Sequence, residues 1–64
     1  MRYVLAEPPR TSNEAFDSLE NVFSSEEFSA SEASEVLEET LDMTSSEASS
    51  EFRRLVRMGA IEEI

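Results

Sequence analysis

Apolar residues recur at helical spacing in three stretches of the chain, and the last stretch has the clearest pattern. Its apolar positions are Ala48, Phe52, Leu55 and Val56. A period of about 3.6 residues places them in one stripe along a helix. Thr44 and Glu47 precede the stripe at the spacing of a capping box, and Gly59 follows it as the residue type that commonly ends a helix. The sequence therefore predicts a helix over residues 44–58.

Two further helices are predicted before this one, each with a capping box at its start. The capping pairs are Thr11 with Glu14 and Ser29 with Glu32. The first helix should cover residues 12 to 23 or 24, and the second should cover about residues 30–40. Only a turn of three or four residues remains between the second and third helices. Two helices joined by so short a turn form a helix-turn-helix.

Short strands are expected near both ends of the chain. Residues 1–6 contain β-branched and aromatic side chains, and Glu7-Pro8-Pro9 stops them because proline disfavours helix. A flexible arm is the alternative for residues 1–10. Residues 61–64 are too few for a fourth helix, so we expect a strand that pairs with the N-terminal one. The predicted core consists of Phe16, Leu19, Val22, Phe23, Phe28, Ala33, Val36, Leu37, Leu41, Ala48, Phe52, Leu55 and Val56.

Length and composition favour one small domain over residues 1–64 that is not an enzyme. There is no cysteine and no histidine, so the usual metal ligands and the commonest general base are missing. Nearly all carboxylates fall on outward helix faces, and the only glycine, Gly59, cannot form a phosphate-binding loop. We expect no catalytic residue, no cofactor and no metal. No apolar run is long enough to span a membrane and no signal peptide is recognisable, which favours a cytoplasmic protein without a membrane partner.

The net charge is extreme for so small a chain. Fifteen acidic residues face five arginines, lysine is missing, and the net charge is −10. High net charge with abundant serine and glutamate is typical of disorder, but 39% of the residues are hydrophobic and fall in periodic stripes, which favours a fold. A second interpretation is adaptation to high salt, where repulsion between carboxylates is screened within about 3 Å at molar ionic strength. The composition resembles that of halophilic proteins, and net charge then says less about partners.

The segment from Thr40 to Ile61 resembles the winged helix-turn-helix domains of prokaryotic transcription regulators, and the composition points to a halophilic archaeal one. The matching positions are Leu41, Met43, Thr44, Ser49, Phe52, Leu55, Gly59 and Ile61. Phe28-Ser29-Ala30 also fits this family, as the short strand that enters the second helix. The resemblance implies an α+β fold with a three-helix helix-turn-helix core and two or three short strands. Because the sequence ends at Ile64, we expect a truncated wing in which residues 2–5 replace the missing strand.

The resemblance further implies that the helix over residues 44–58 is a recognition helix for double-stranded DNA. The residues that it implies as DNA contacts are Ser45, Ser46, Ser49, Ser50, Arg53 and Arg57. A dimer would double the number of arginines across two half-sites. The same arginines are also explained without any ligand, because cations near the end of a helix interact favourably with its dipole.

The charge distribution keeps a second function open. Residues 44–59 hold three arginines against two glutamates, a net charge of +1, so the rest of the chain has a net charge of −11. The outward face of the second helix carries the glutamates Glu32, Glu35, Glu38 and Glu39. These carboxylates would repel phosphates. The alternative is an acidic protein-interaction or dimerisation module that keeps the winged-helix fold without binding DNA, with a homodimer formed through the terminal strands.

Overall fold

The computed structural model describes residues 1–64 and has three helices and one small sheet. The elements are β1 (Tyr3–Leu5), α1 (Glu14–Phe23), α2 (Ala30–Leu41), α3 (Ser45–Arg57) and β2 (Ile61–Glu63). Helix α2 packs against both α1 and α3, and β2 packs against α3. The predicted α+β class, with a helix-turn-helix core and short strands, is confirmed.

The sheet joins the two ends of the chain. Strand β1 pairs antiparallel with β2, so that Leu5 lies opposite Ile61. On its other side, β1 forms a bridge to Phe28, and the N–H groups of Tyr3 and Phe28 donate to each other's carbonyl oxygens at 2.8 and 2.9 Å. The predicted pairing of the terminal strands is confirmed, and the short strand expected at Phe28 is a single bridging residue. Strand β1 therefore connects the start of α2 to the segment that follows α3.

One continuous core lies between the three helices and the sheet. Its buried residues are Ala15, Phe16, Leu19, Phe28, Ala33, Leu37, Ala48, Phe52, Leu55, Ala60 and Ile61. Phe23, Val36, Leu41 and Val56 from the predicted core are partly buried against it. The prediction for Val22 is wrong, because this side chain is 50% exposed. Phe23 continues the buried stripe of α1 instead, and its ring stacks on Phe28 with centroids 4.5 Å apart.

Helix α1 begins later than the sequence predicts. Its N-cap is Asn13, whose side-chain oxygen accepts a hydrogen bond from the Phe16 N–H at 2.8 Å. The predicted capping box of Thr11 with Glu14 is therefore wrong. Asparagine is at least as good an N-cap as threonine, and starting at Asn13 still turns Ala15 and Phe16 into the core.

The other two capping boxes are confirmed. In α2 the Ser29 N–H donates to Glu32 Oε1 at 2.8 Å, and the Glu32 N–H donates to Ser29 Oγ at 3.1 Å. In α3 the corresponding bonds join Thr44 and Glu47 at 2.9 and 3.1 Å. The box of Thr44 with Glu47 sets one end of the helix-turn-helix turn, Asp42 ends α2 at the other with a left-handed φ of 57°, and only residues 42–44 separate α2 from α3.

Helix α3 ends in a Schellman motif. The Ala60 N–H donates to the Leu55 carbonyl at 3.0 Å and the Gly59 N–H donates to the Val56 carbonyl at 3.1 Å. Gly59 has a φ of +85°, which a residue with a side chain rarely adopts. The motif buries Ala60 and directs the chain into β2.

Candidate functional site on helix α3

Helix α3 buries one side and leaves the opposite side in solvent. The buried side holds Ala48, Phe52 and Leu55. At about 100° per residue, the opposite side holds four positions within an arc of about 60°. These positions, called the outer strip below, are Ser46, Ser50, Arg53 and Arg57, and all four are exposed. The outer strip thus combines two hydroxyls with two guanidinium groups on one accessible face.

The structure brings together four of the six residues that the sequence suggests as DNA contacts. Ser45 and Ser49 are also exposed, but their helical positions fall on a different flank of α3, beside the half-buried Val56. A partner that covers the outer strip would meet these two serines only at its margin. The candidate site is therefore narrower than the sequence-based set.

The two arginines of the outer strip differ from Arg2 and Arg54 by having no ion-pair partner. Arg54 lies 3.7 Å from a carboxylate oxygen of Glu51, an i,i+3 ion pair within α3. Arg2 approaches the carboxylates of Glu27 and Glu32 at 3.7 and 3.6 Å. No carboxylate lies within 4.0 Å of the guanidinium nitrogens of Arg53 or Arg57. Their charges face solvent uncompensated by direct contact.

The acidic residues of α3 lie outside the outer strip. Glu47 is held in the capping box with Thr44, and Glu51 is half-buried with a side chain that is 23% exposed. One oxygen of Glu51 is buried without a hydrogen bond and faces Arg54. These glutamates line an open groove of about 430 Å³ along one flank of α3. Ser46 and Ser50 also line this groove, so the serines of the outer strip border both glutamates, whereas Arg53 and Arg57 lie outside the groove.

A second groove lies where the segment after β1 passes the C-terminal end of α3. The Ala6 N–H donates to the Ala60 carbonyl at 2.8 Å, which holds this segment against the end of the helix. The groove has a volume of about 490 Å³, and its lining includes Arg10, Met58 and Ala60. Arg10 is exposed and has no carboxylate within 4.0 Å. Sequence reasoning missed Arg10, because only the folded chain brings residue 10 close to residue 58.

The remaining surface offers neither a metal site nor a membrane-spanning helix. No group of three or more His, Cys, Asp or Glu side chains is arranged to hold a metal ion. No helix combines the length and the apolar character that crossing a membrane requires.

On the outward side of α2, Glu32, Glu35 and Glu39 are exposed, whereas Glu38 is partly buried. The outer strip is thus a small basic surface on an otherwise strongly acidic molecule.

Comparison with known proteins adds no relative from which a role could be transferred. Neither a family model, nor a curated protein, nor a solved structure matches this chain. The functional interpretation therefore depends on the chain's own geometry, above all on the outer strip of α3.

Proposed function

We propose that the protein is a small DNA-binding, transcription-regulator-like domain that uses α3 as its recognition helix. The observation that carries the proposal is the outer strip, in which Arg53 and Arg57 lie beside two serines with no carboxylate within 4.0 Å. An α-helix fits the major groove of B-DNA, and in a helix-turn-helix the second helix enters it. Helix α3 occupies that position in the order of elements.

The side chains of the outer strip can bind both the phosphates and the base edges of DNA. Guanidinium groups bind phosphate oxygens, or the O6 and N7 atoms of guanine, through paired N–H donors. Serine hydroxyls donate to and accept from either bases or phosphates. Ser46 and Ser50 lie towards the N-terminal half of α3, the half that contacts base edges in helix-turn-helix proteins. Arg53 and Arg57 follow towards its C-terminal end, where we assign them to phosphates.

The acidic remainder of the chain limits the affinity. Helix α3 has three arginines against two glutamates, so the other elements hold a net charge of −11 within the total of −10. Non-specific DNA binding arises from neutralised phosphates and the counterions that they release. With two or three arginines available, we expect a dissociation constant at the weak end of the usual range, about 100 µM at physiological salt. The acidic body also penalises every orientation except the one with α3 towards the DNA.

The test is a DNA titration of the full chain with matched double variants. Fluorescence anisotropy of a labelled duplex is measured over a salt series for the wild type and for Arg53→Ala with Arg57→Ala. The control is Arg2→Ala with Arg54→Ala, which makes the same change in net charge at arginines already paired with glutamates. Both double variants keep all the acidic residues, so the salt-dependent repulsion between these residues and DNA is the same in both and does not affect the comparison.

Each lost phosphate contact lowers the slope of log affinity against log salt by about 0.9, so the outer-strip variant should lose about 1.8 from its slope. The control variant should lose clearly less. Two results would refute the proposal: no binding by the wild type at any salt concentration, or equal losses in the two double variants.

A second candidate function, docking of another protein chain, is favoured by apolar exposure at the open end of the sheet. Met1 and Ile64 are 86% and 65% exposed, and the Ile64 N–H donates to the Arg2 carbonyl at 2.9 Å, so both lie at the same end. The Ile61 side chain is only 1% exposed, so it adds no apolar surface at this end. Sedimentation velocity at low and at molar salt tests the homodimer, and a monomer under both conditions would remove it.

A further inference from the structure

The segment over residues 7–11 passes the C-terminal end of α3. Its start is anchored by the hydrogen bond from the Ala6 N–H to the Ala60 carbonyl. Pro8 and Pro9 fix two consecutive φ angles near −65°, and Pro9 is half-buried. Arg10 follows directly and shares its groove with Met58, the residue after Arg57. Arg10 therefore lies beside the C-terminal end of α3, on the side of Met58.

Arg10 resembles the outer-strip arginines in having no ion-pair partner. It is exposed, and no carboxylate lies within 4.0 Å of its guanidinium nitrogens. The two prolines restrict the unfolded and the folded segment alike, so presenting Arg10 to a ligand costs little additional chain entropy. An unpaired cation at this place is suited to an anionic partner that already contacts α3.

We propose that Arg10 binds a DNA phosphate beside the C-terminal end of α3 and adds a phosphate contact outside the helix. This inference rests on the proposed function of α3. The major groove is about 12 Å wide and is bordered by the two phosphate backbones, so a cation just outside a helix in the groove faces phosphate rather than base edges. Arg10 thus supplies affinity and orientation without reading sequence.

Glu7 lines the same groove and opposes this contact. Its carboxylate adds a negative charge to the groove that holds Arg10. Phosphate brought to Arg10 would be repelled by Glu7, so Glu7→Gln should strengthen binding. A gain of affinity is informative because damage to the fold would produce a loss instead.

The experiment uses the full chain and a random-sequence duplex of about 20 base pairs over a potassium chloride series, because non-specific binding reports phosphate contacts. Arg10→Ala should weaken binding and lower the salt slope by about 0.9, whereas Arg10→Lys should keep most of the slope. Arg2→Ala is the matched control, since it removes the same charge from an arginine already paired with Glu27 and Glu32. Circular dichroism of each variant reports whether it is folded.

The gain of affinity needs its own control. Glu20 is an exposed glutamate on α1, so Glu20→Gln makes the same change in charge away from the groove. We expect Glu7→Gln to bind more tightly than Glu20→Gln and the difference to shrink as salt rises. Equal affinity of these two variants would contradict the contact at Arg10.

The outcomes separate this inference from the proposed function. If Arg10→Ala keeps the wild-type slope while Arg53→Ala with Arg57→Ala lowers it, the assignment of Arg10 is wrong and α3 remains the DNA-binding element. If the wild type binds no DNA, both proposals are wrong. If the slopes fall for Arg10→Ala and for the outer-strip variant but not for Arg2→Ala, both are supported.

Discussion

Replacing Thr44 by alanine removes one half of the hydrogen-bonded cap that begins α3. Thr44 Oγ1 accepts from the Glu47 N–H at 3.1 Å, and this bond is lost in Thr44→Ala. The reverse bond, from the Thr44 N–H to Glu47 Oε1 at 2.9 Å, uses a backbone donor and remains possible. The variant therefore isolates the contribution of a single side-chain hydroxyl to the start of the helix.

The exposure of the cap residues sets the expected loss of unfolding free energy in Thr44→Ala. Loss of an N-cap side chain costs about 0.5–2 kcal/mol, and the exposure of both residues to water favours the lower half of that range. We therefore expect Thr44→Ala to lower the free energy of unfolding by about 1 kcal/mol. For a chain of this length the total is about 3–10 kcal/mol, and a loss of 1 kcal/mol lowers the melting temperature by about 4–8 °C.

The measurement is urea denaturation followed by far-ultraviolet circular dichroism at fixed salt. Thr11→Ala is the matched control, because Thr11 is exposed and lies outside any helix cap in the structure. Thr44→Ser keeps the hydroxyl and should stay close to the wild type. The midpoint should fall without a change in the m-value, since the denatured state is unaltered.

A double-mutant cycle tests whether the two cap bonds depend on each other. Thr44→Ala and Glu47→Ala together should cost less than the sum of the single changes, because either change already loosens the same helical turn. The proposed cap contribution is wrong if Thr44→Ala costs no more than Thr11→Ala. It is also wrong if hydrogen exchange at the first amides of α3 is equal in the two variants.

Two further predictions follow from burial and backbone conformation. Leu37 is fully buried, whereas Val22 is half exposed. In urea denaturation, Leu37→Ala should lower the free energy of unfolding by about 2–5 kcal/mol and Val22→Ala by less than about 1 kcal/mol. Similar losses in the two variants would contradict the described core. Gly59 has a φ of +85° and a Cβ there would touch nothing within 4 Å. Gly59→Ala should therefore lower the free energy of unfolding by about 1 kcal/mol, whereas D-alanine at the same position, introduced by chemical synthesis, should not. Equal melting temperatures of the L-alanine and D-alanine variants would contradict this prediction.

The sequence predicts the helix-turn-helix well because the responsible interactions are local. The caps of α2 and α3 join residues only three positions apart, and their bonds form as expected. The end of α3 at Gly59 is equally local, since the Schellman bonds span five residues or fewer. Such features are encoded within a single turn and need no knowledge of the rest of the fold.

The errors arise where two local solutions compete or where a distant segment decides. Thr11 and Asn13 are both suitable N-caps, and the structure uses Asn13. The burial of Ile61, which is missing from the predicted core, depends on its pairing with Leu5 more than fifty residues earlier. Arg10 was overlooked for the same reason, because its position beside Met58 results from the pairing of the two terminal strands.

The distribution of the five arginines is the strongest reason to expect an anionic partner. The helix dipole accounts for cations near the end of α3, which has Arg54 and Arg57 in its last turn and Arg53 directly before it, but it does not account for Arg10, which is outside any helix. With three acidic residues for every arginine, ion pairs are available, and Arg2 and Arg54 form them. Arg10, Arg53 and Arg57 remain unpaired on or beside one helix, so their charges stay available to a ligand that the acidic remainder of the surface would otherwise repel.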